Sequence, residues 1–339
     1  FEEWDMFVEH RCADFGMPVG LALAETIKGK LFFRNDDVHF RIGDQKFLER
    51  TRDLMSFENF SNAAYMITRG IGLASSIDDF LDSHRDNPNL VTCGKAAIAH
   101  SILEFENRSA LHGTINSNRG WDADISVLDK VWLNRFVRIV SRGITTSNVT
   151  EIFNDVTFIN FNYDRCLETY LIQALVQRFS IDQLAAQEIV ENAKIYHPYG
   201  TVGSPFPGRS GFVKFGDEYA NIAELGANIK TYTEKITDHT LLSAMVAALA
   251  AAQTLVFLGF AFHPQNMNLM RVDWQDVVMP KTILATAFNC SDAAVETYRQ
   301  RISQMFPNQY FPQAQMDRFR FSKVTCLPFL EEFEATLSG

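Results

Sequence analysis

Five short apolar runs, each closing on polar or glycine-containing residues and followed by a helical pattern, constrain this chain more than any other feature. They are Val156–Phe161, Lys194–Tyr196, Leu255–Phe260, Ile283–Ala287 and Phe319–Thr325. Continuous rather than alternating hydrophobicity is the mark of strands covered on both faces, as in a parallel sheet. After the first run, Leu167, Tyr170, Leu171, Ala174 and Leu175 recur at helical spacing. After the fourth, Asn289 to Asp292 offers a cap for a helix through Arg301. Strand, loop and helix in repetition predict an α/β fold, a doubly wound Rossmann-like parallel sheet.

The first 150 residues have a different pattern. From Met55 to Ile144 the periodicity is helical, with caps expected at Ser76 and Asp122 and loops at Asn87-Pro88 and Asn116–Gly120. The expected organisation is therefore the start of the sheet over 1–54, a helical layer over 55–150, and the main Rossmann-like part over 151–339. Gly200–Gly216 is expected to be a long loop, a feature often tied to function.

Composition narrows the function classes. Hydrophobic residues make up 47%, enough for a sizeable core, and most of the 29 Phe residues belong there. A net charge of −10 argues against the basic surface that binding to a nucleic-acid backbone requires. The cysteines, Cys12, Cys93, Cys166, Cys290 and Cys326, lack the close pairs of a structural zinc site and are expected to be reduced. No charged-then-apolar leader opens the sequence, and the expected location is cytoplasmic. Thr240–Met270 carries no Lys, Arg, Asp or Glu. Its Ala-rich first half and polar end predict a buried helix, Leu241–Ala252, running into a strand rather than a membrane span.

Ligands in open α/β sheets bind where strands end and helices begin. Three strand ends carry chemistry-bearing residues. Phe161-Asn162-Tyr163-Asp164 offers an amide suited to a ribose hydroxyl or a water, and a carboxylate that either orients that arrangement or caps the following helix. Tyr196-His197-Pro198-Tyr199-Gly200 places a histidine that serves as a general base or as a structural group. Gly259-Phe260-Ala261 opens the third end, where a glycine permits close backbone approach to a ligand or simply makes a turn.

In order and spacing these motifs resemble sirtuin-like domains, and in particular the bacterial branch in which Asn-Tyr-Asp precedes a helix with an acidic residue, here Glu168. Asn289 resembles the residue that meets the adenosine ribose, Cys326 the position beside the adenine, and Phe15–Gly20 the segment after the family's first glycine loop. Two departures stand out. Val8–Asp14 contains no glycine, so the phosphate-cradling loop is either lost or lies outside this sequence. Tyr199 precedes Gly200 where the family's histidine stands, with His197 two residues earlier. His112-Gly113 is a literal pair in a helical setting and is set aside.

The resemblance implies NAD as substrate and no metal. It implies catalytic roles for Asn162, Asp164, His197 and Tyr199, and dinucleotide contacts from Phe161, Tyr163, Gly259, Phe260, Ala261, Asn289 and Cys326. The implied activity is hydrolysis of the nicotinamide–ribose bond, as in NAD-depleting effectors of anti-phage defence. Homo-oligomerisation and a partner ATPase or nuclease go with it; contact with nucleic acid or membrane does not. A catalytically altered module that binds NAD or ADP-ribose within a larger complex is the alternative.

Overall fold

The computed structural model describes residues 15, 17, 20–31, 33–36, 39–42, 44–115, 125–231, 234, 238–272, 282–307 and 317–338. The expected Asp122 cap, the Asn116–Gly120 loop and the Val8–Asp14 stretch lie outside them. The architecture is mixed α/β, with parallel strands set against many helices, as the sequence predicts.

The N-terminal half is helical: α1 (Gly20–Leu31), α2 (Gln45–Thr51), α3 (Phe57–Gly70), α4 (Ile77–Ser83), α5 (Pro88–Arg108), α6 (Ala110–Ile115) and α7 (Trp132–Val140). Ser76 caps α4 by accepting the Asp79 N–H at 3.1 Å, as expected. Asn87-Pro88 proves to be a helix start rather than a loop. Asn87 accepts the Leu90 N–H, and Pro88 occupies a first-turn position, where its missing N–H costs nothing. Within 1–54 the described strands β1 (Phe33–Asp36) and β2 (His39–Ile42) pair antiparallel with each other and join no parallel sheet.

The C-terminal half holds β3 (Thr157–Ile159), α8 (Cys166–Phe179), α9 (Gln183–Asn192), β4 (Lys194–Tyr196), α10 (Ile222–Asn228), α11 (His239–Ala251) and β5 (Thr254–Phe257). There follow α12 (Pro264–Leu269), β6 (Thr282–Thr286), α13 (Asp292–Gln304), β7 (Phe319–Ser322), α14 (Cys326–Glu332) and α15 (Glu334–Leu337). All five expected strands are present, most of them shorter than their apolar runs. Among the described residues their hydrogen bonding forms two parallel sheets, β3–β4 and β5–β6–β7, rather than one. Side chains cross between the two. Phe161 packs against both the core cluster shared with the helical layer and the one behind β5–β7.

The uncharged run Thr240–Met270 is divided among α11, β5 and α12, and no described helix is long and apolar enough to cross a membrane. Nor is α11 wholly buried, since only Met245 and Leu249 are. Alanine tolerates either environment, so its Ala-rich faces left the degree of burial open.

Candidate functional site

The parallel register of β3 and β4 sets Ile159 beside Tyr196, and the Asn160 N–H extends the ladder to the Tyr196 carbonyl at 2.8 Å. The segments that leave these strands, 160–165 and 197–200, therefore emerge side by side. The third strand end joins them through aromatic contacts. The Phe161 ring lies 5.7 Å from Tyr199 and 5.3 Å from Phe260, which follows β5. The Tyr199 hydroxyl donates to Asn266 Oδ1 on α12 at 2.6 Å, a second tie between the two sheets. Phe161, Tyr199 and Phe260 are thus brought together as the sequence implies.

Asn162, Tyr163 and Asp164 are fixed in different ways. The Asn162 N–H donates to Asn160 Oδ1, and its carbonyl faces His197 Nδ1 at 3.2 Å. Its carboxamide is half-buried and makes no hydrogen bond among the described residues. The Tyr163 hydroxyl donates to buried Asp78 on α4 and lies 3.2 Å from the Lys230 carbonyl, while its own carbonyl accepts the Val202 N–H. Asp164 is buried, and Oδ1 accepts the Cys166 N–H at 3.0 Å in a turn just before α8, whose cap residue is Arg165 rather than the Asp164 weighed from sequence. Its Oδ2 has no partner. Burial, reinforced by Glu106 and Glu168, raises the Asp164 carboxyl above its ordinary range.

His197 sits between two acceptors. Nε2 lies 2.6 Å from Glu168 Oε1, and Nδ1 faces the Asn162 carbonyl. Burial opposes its charge, but the Glu168 carboxylate outweighs that and raises the imidazole pKa. Burial likewise opposes ionisation of Glu168, and His197 reverses it, so the carboxyl is lowered. To act as the base expected from sequence, His197 would have to release one of these contacts.

Behind the motif lies a fully buried pair absent from the sequence reading. Arg165 ion-pairs with Glu106 of α5, whose Oε1 also accepts the Arg165 backbone N–H at 3.1 Å. Arg165 further donates to the Val213 and Lys214 carbonyls, and Glu106 accepts the Gly216 N–H at 3.0 Å. The segment 200–216 is the loop expected, but a pinned one. At its start Gly200 has φ +79°, and a side chain there would collide with the Asn228 carbonyl.

The remaining binding candidates lie at the ends of β5–β7. Gly259 has φ +55°, and its N–H donates to the Thr286 hydroxyl at 2.6 Å. Ala261 is half-buried, Asn289 is exposed three residues after β6, and buried Cys326 begins α14. Phe262 also has positive φ, +52°, and stacks on Tyr298 at 4.5 Å. Glu106, Asp78 and Thr286 escaped sequence reasoning, as did the Tyr199 partnership of Asn266, the last residue of the third strand-end segment. Their partners are distant in the chain, and each stands in a segment whose local pattern is satisfied without them.

Asp44, His100 and Glu104 form the one group among the described residues with metal-ligand spacing. The Lys30 ammonium pairs with both carboxylates there, and Arg50 meets the His100 ring. Cations of the chain itself already neutralise this group. The described cysteines, Cys93, Cys166, Cys290 and Cys326, form no disulfide among the described residues, and burial pushes Cys93 up to about 12.

No curated protein and no solved structure matches the chain. Residues 156–309, a little under half of it, match a family model described as a SIR2-like domain. The matched stretch runs from the start of β3 through α13 and so contains the Asn162, His197, Gly259 and Asn289 strand ends. It supports a Sir2-like family for this part of the chain and is compatible with NAD-dependent chemistry in the broad sense.

Proposed function

We propose that the joined ends of β3, β4 and β5 bind NAD and hydrolyse its nicotinamide–ribose bond. The observation that carries this reading is the state of Asn162. In a motif whose other polar groups are largely spent on the fold, the carboxamide of half-buried Asn162 stays uncommitted among the described residues at a strand end. The SIR2-like match supplies the ligand class.

In this reaction the bond from C1′ to the pyridinium nitrogen breaks, and its electron pair leaves with nicotinamide. Water oxygen then bonds to C1′ and releases its proton to solvent. The transition state resembles an oxocarbenium ion, so fixed dipoles near the ribose stabilise it. Asn162 holds the ribose hydroxyl or the incoming water, and Asp164 sets the loop that presents it. Phe161, Tyr163, Tyr199, Phe260 and Ala261 wall the nicotinamide end, while Gly259, Asn289 and Cys326 lie towards the adenosine. Water is a sufficient acceptor for a dissociative reaction of this kind.

An unrestrained NAD hydrolase would exhaust its own cell. We therefore place the activity in a controlled, NAD-depleting effector of anti-phage defence, acting in the cytoplasm as a homo-oligomer, with a partner such as an ATPase or nuclease as the switch. The test is release of nicotinamide from NAD by the purified protein. Asn162→Ala is expected to abolish it with an unchanged circular dichroism spectrum; undiminished turnover overturns the assignment.

A second reading, binding of NAD or ADP-ribose without cleavage, is favoured by one observation: both ring nitrogens of His197 are engaged. Saturable NAD binding with no nicotinamide release, in the oligomer and with the partner present, would decide for it.

A further inference from the structure

With Glu168 ionised, as its lowered pKa favours, the two contacts of His197 decide its protonation. The Asn162 peptide oxygen can only accept, and so can an ionised Glu168 carboxylate. A ring that satisfies both must donate from both nitrogens and is therefore an imidazolium. A neutral ring would donate to one partner and turn a lone pair towards the other.

The surroundings suit that state. Glu168 stands in the first turn of α8, 6% exposed, opposite a His197 side chain that is 12% exposed. The charged groups around the pair are Asp164, which favours the His197 cation, and Arg165, which favours the Glu168 anion. Glu106 lies behind them, already committed to Arg165. The second oxygen of Glu168, Oε2, is buried without a partner, so the His197 contact is the carboxylate's anchor.

We propose that Glu168 is a positioning residue, which through a cationic His197 clamps the Asn162 peptide carbonyl and so aims the Asn162 carboxamide at the ribose. The chain of contacts runs from Glu168 Oε1 to Nε2, across the ring to Nδ1, and on to the Asn162 oxygen. His197 is part of the clamp and takes no proton from the attacking water. Loss of the ring proton unlatches Nδ1 from Asn162 and leaves the carboxamide free to drift, and a drift of about 1 Å can cost about a hundredfold in rate. The inference rests on the reading that this site cleaves NAD.

Two measurements on the full chain test it. Ring nitrogen NMR of histidine-labelled protein is expected to show His197 protonated at both nitrogens at pH 7; a neutral ring there overturns the clamp whatever the activity. Turnover of NAD against pH is the second. If His197 is clamp rather than base, kcat shows no rising limb between pH 6 and 8 and falls only at alkaline pH. In Glu168→Gln that fall moves to lower pH, because the anion that holds the ring proton is gone. Glu168→Ala lowers kcat about ten- to a hundredfold with little change in KM. A wild-type kcat that climbs through pH 6–8 as a base deprotonates, or a Glu168→Gln profile superimposable on wild type, overturns the proposal. Absence of nicotinamide release from the wild type defeats the hydrolase reading instead, and the ring state then decides the clamp alone.

Discussion

The β3–β4 ends and the β5–β7 ends meet through the rings of Phe161, Tyr199 and Phe260 but are held by different means. At the first, side chains reach across the fold: Arg165 to Glu106 on α5, Tyr163 to Asp78 on α4, His197 to Glu168 on α8. At the second the ties stay within the sheet and the helix that follows β6. The Gly259 N–H meets the Thr286 hydroxyl, the Ala287 N–H meets the Ser322 carbonyl, and the Phe262 ring stacks on Tyr298. One set of strand ends is thus wired into the helical layer, and the other is largely self-supporting, touching the first through Asn266 and Phe260. A movement of α4 or α5 would be felt at Asn162 before it was felt at Gly259, as the proposed external control would require.

The sharpest way to break this contrast is at Glu106. Glu106→Gln leaves the Arg165 guanidinium buried against a neutral amide, and loss of one partner of such a pair costs about 3–5 kcal/mol. Urea unfolding should show it, and hydrogen exchange should show loosening of 160–165 and 200–216 with the β5–β7 ends unchanged. Equal loosening of both sets of ends would mean that the wiring is not selective.

Next in size is the Tyr163–Asp78 tie. Tyr163→Phe leaves a buried carboxylate without its donor, at a cost of about 1–3 kcal/mol. The same pair sets a pH dependence. Burial pushes Asp78 up to about 6, so the fold favours its protonated form. That preference is fully present below the ordinary carboxylate range and is lost as pH rises through about 6. Wild-type stability relative to Asp78→Asn should therefore fall by up to ~1.4 kcal/mol per pH unit across that window. A difference that stays flat from pH 4 to 7 would show that Asp78 ionises freely.

The strand ends were legible in the sequence because apolar runs and turn residues are local signals; Lys194–Tyr196 is matched residue for residue. What stayed hidden was pairing over distance. Glu106 stands in a long helix whose local pattern is complete without it, and nothing within several turns indicates Arg165 as its partner. His197 was legible as a residue but its two contacts were not, since they run to Glu168 and to a carbonyl 35 residues away. The gap between β3 and β5 was invisible for a similar reason: continuous hydrophobicity identifies buried strands but not which edges meet.

On the self-supporting side, effects should be smaller and stay local. Thr286→Val keeps the shape but removes the acceptor for the buried Gly259 N–H, for about 1–2 kcal/mol. Thermal unfolding should register it, and exchange at 160–165 should not change.

The smallest expected effect belongs to Asn289, exposed with φ +56° just beyond β6. Asparagine tolerates left-handed backbone better than alanine does, because its short side chain can hydrogen-bond locally. Asn289→Ala should cost about 1 kcal/mol, and Asn289→Gly should be neutral or slightly stabilising, since glycine has no Cβ to strain. These substitutions also separate fold from ligand. If Asn289 meets the adenosine ribose, Asn289→Gly should weaken NAD binding several-fold while leaving the unfolding midpoint in place. If it serves only the turn, the glycine variant should bind NAD as the wild type does. The self-supporting strand ends would then hold the dinucleotide by backbone and shape alone, and side-chain recognition would fall entirely to the ends that the helical layer controls.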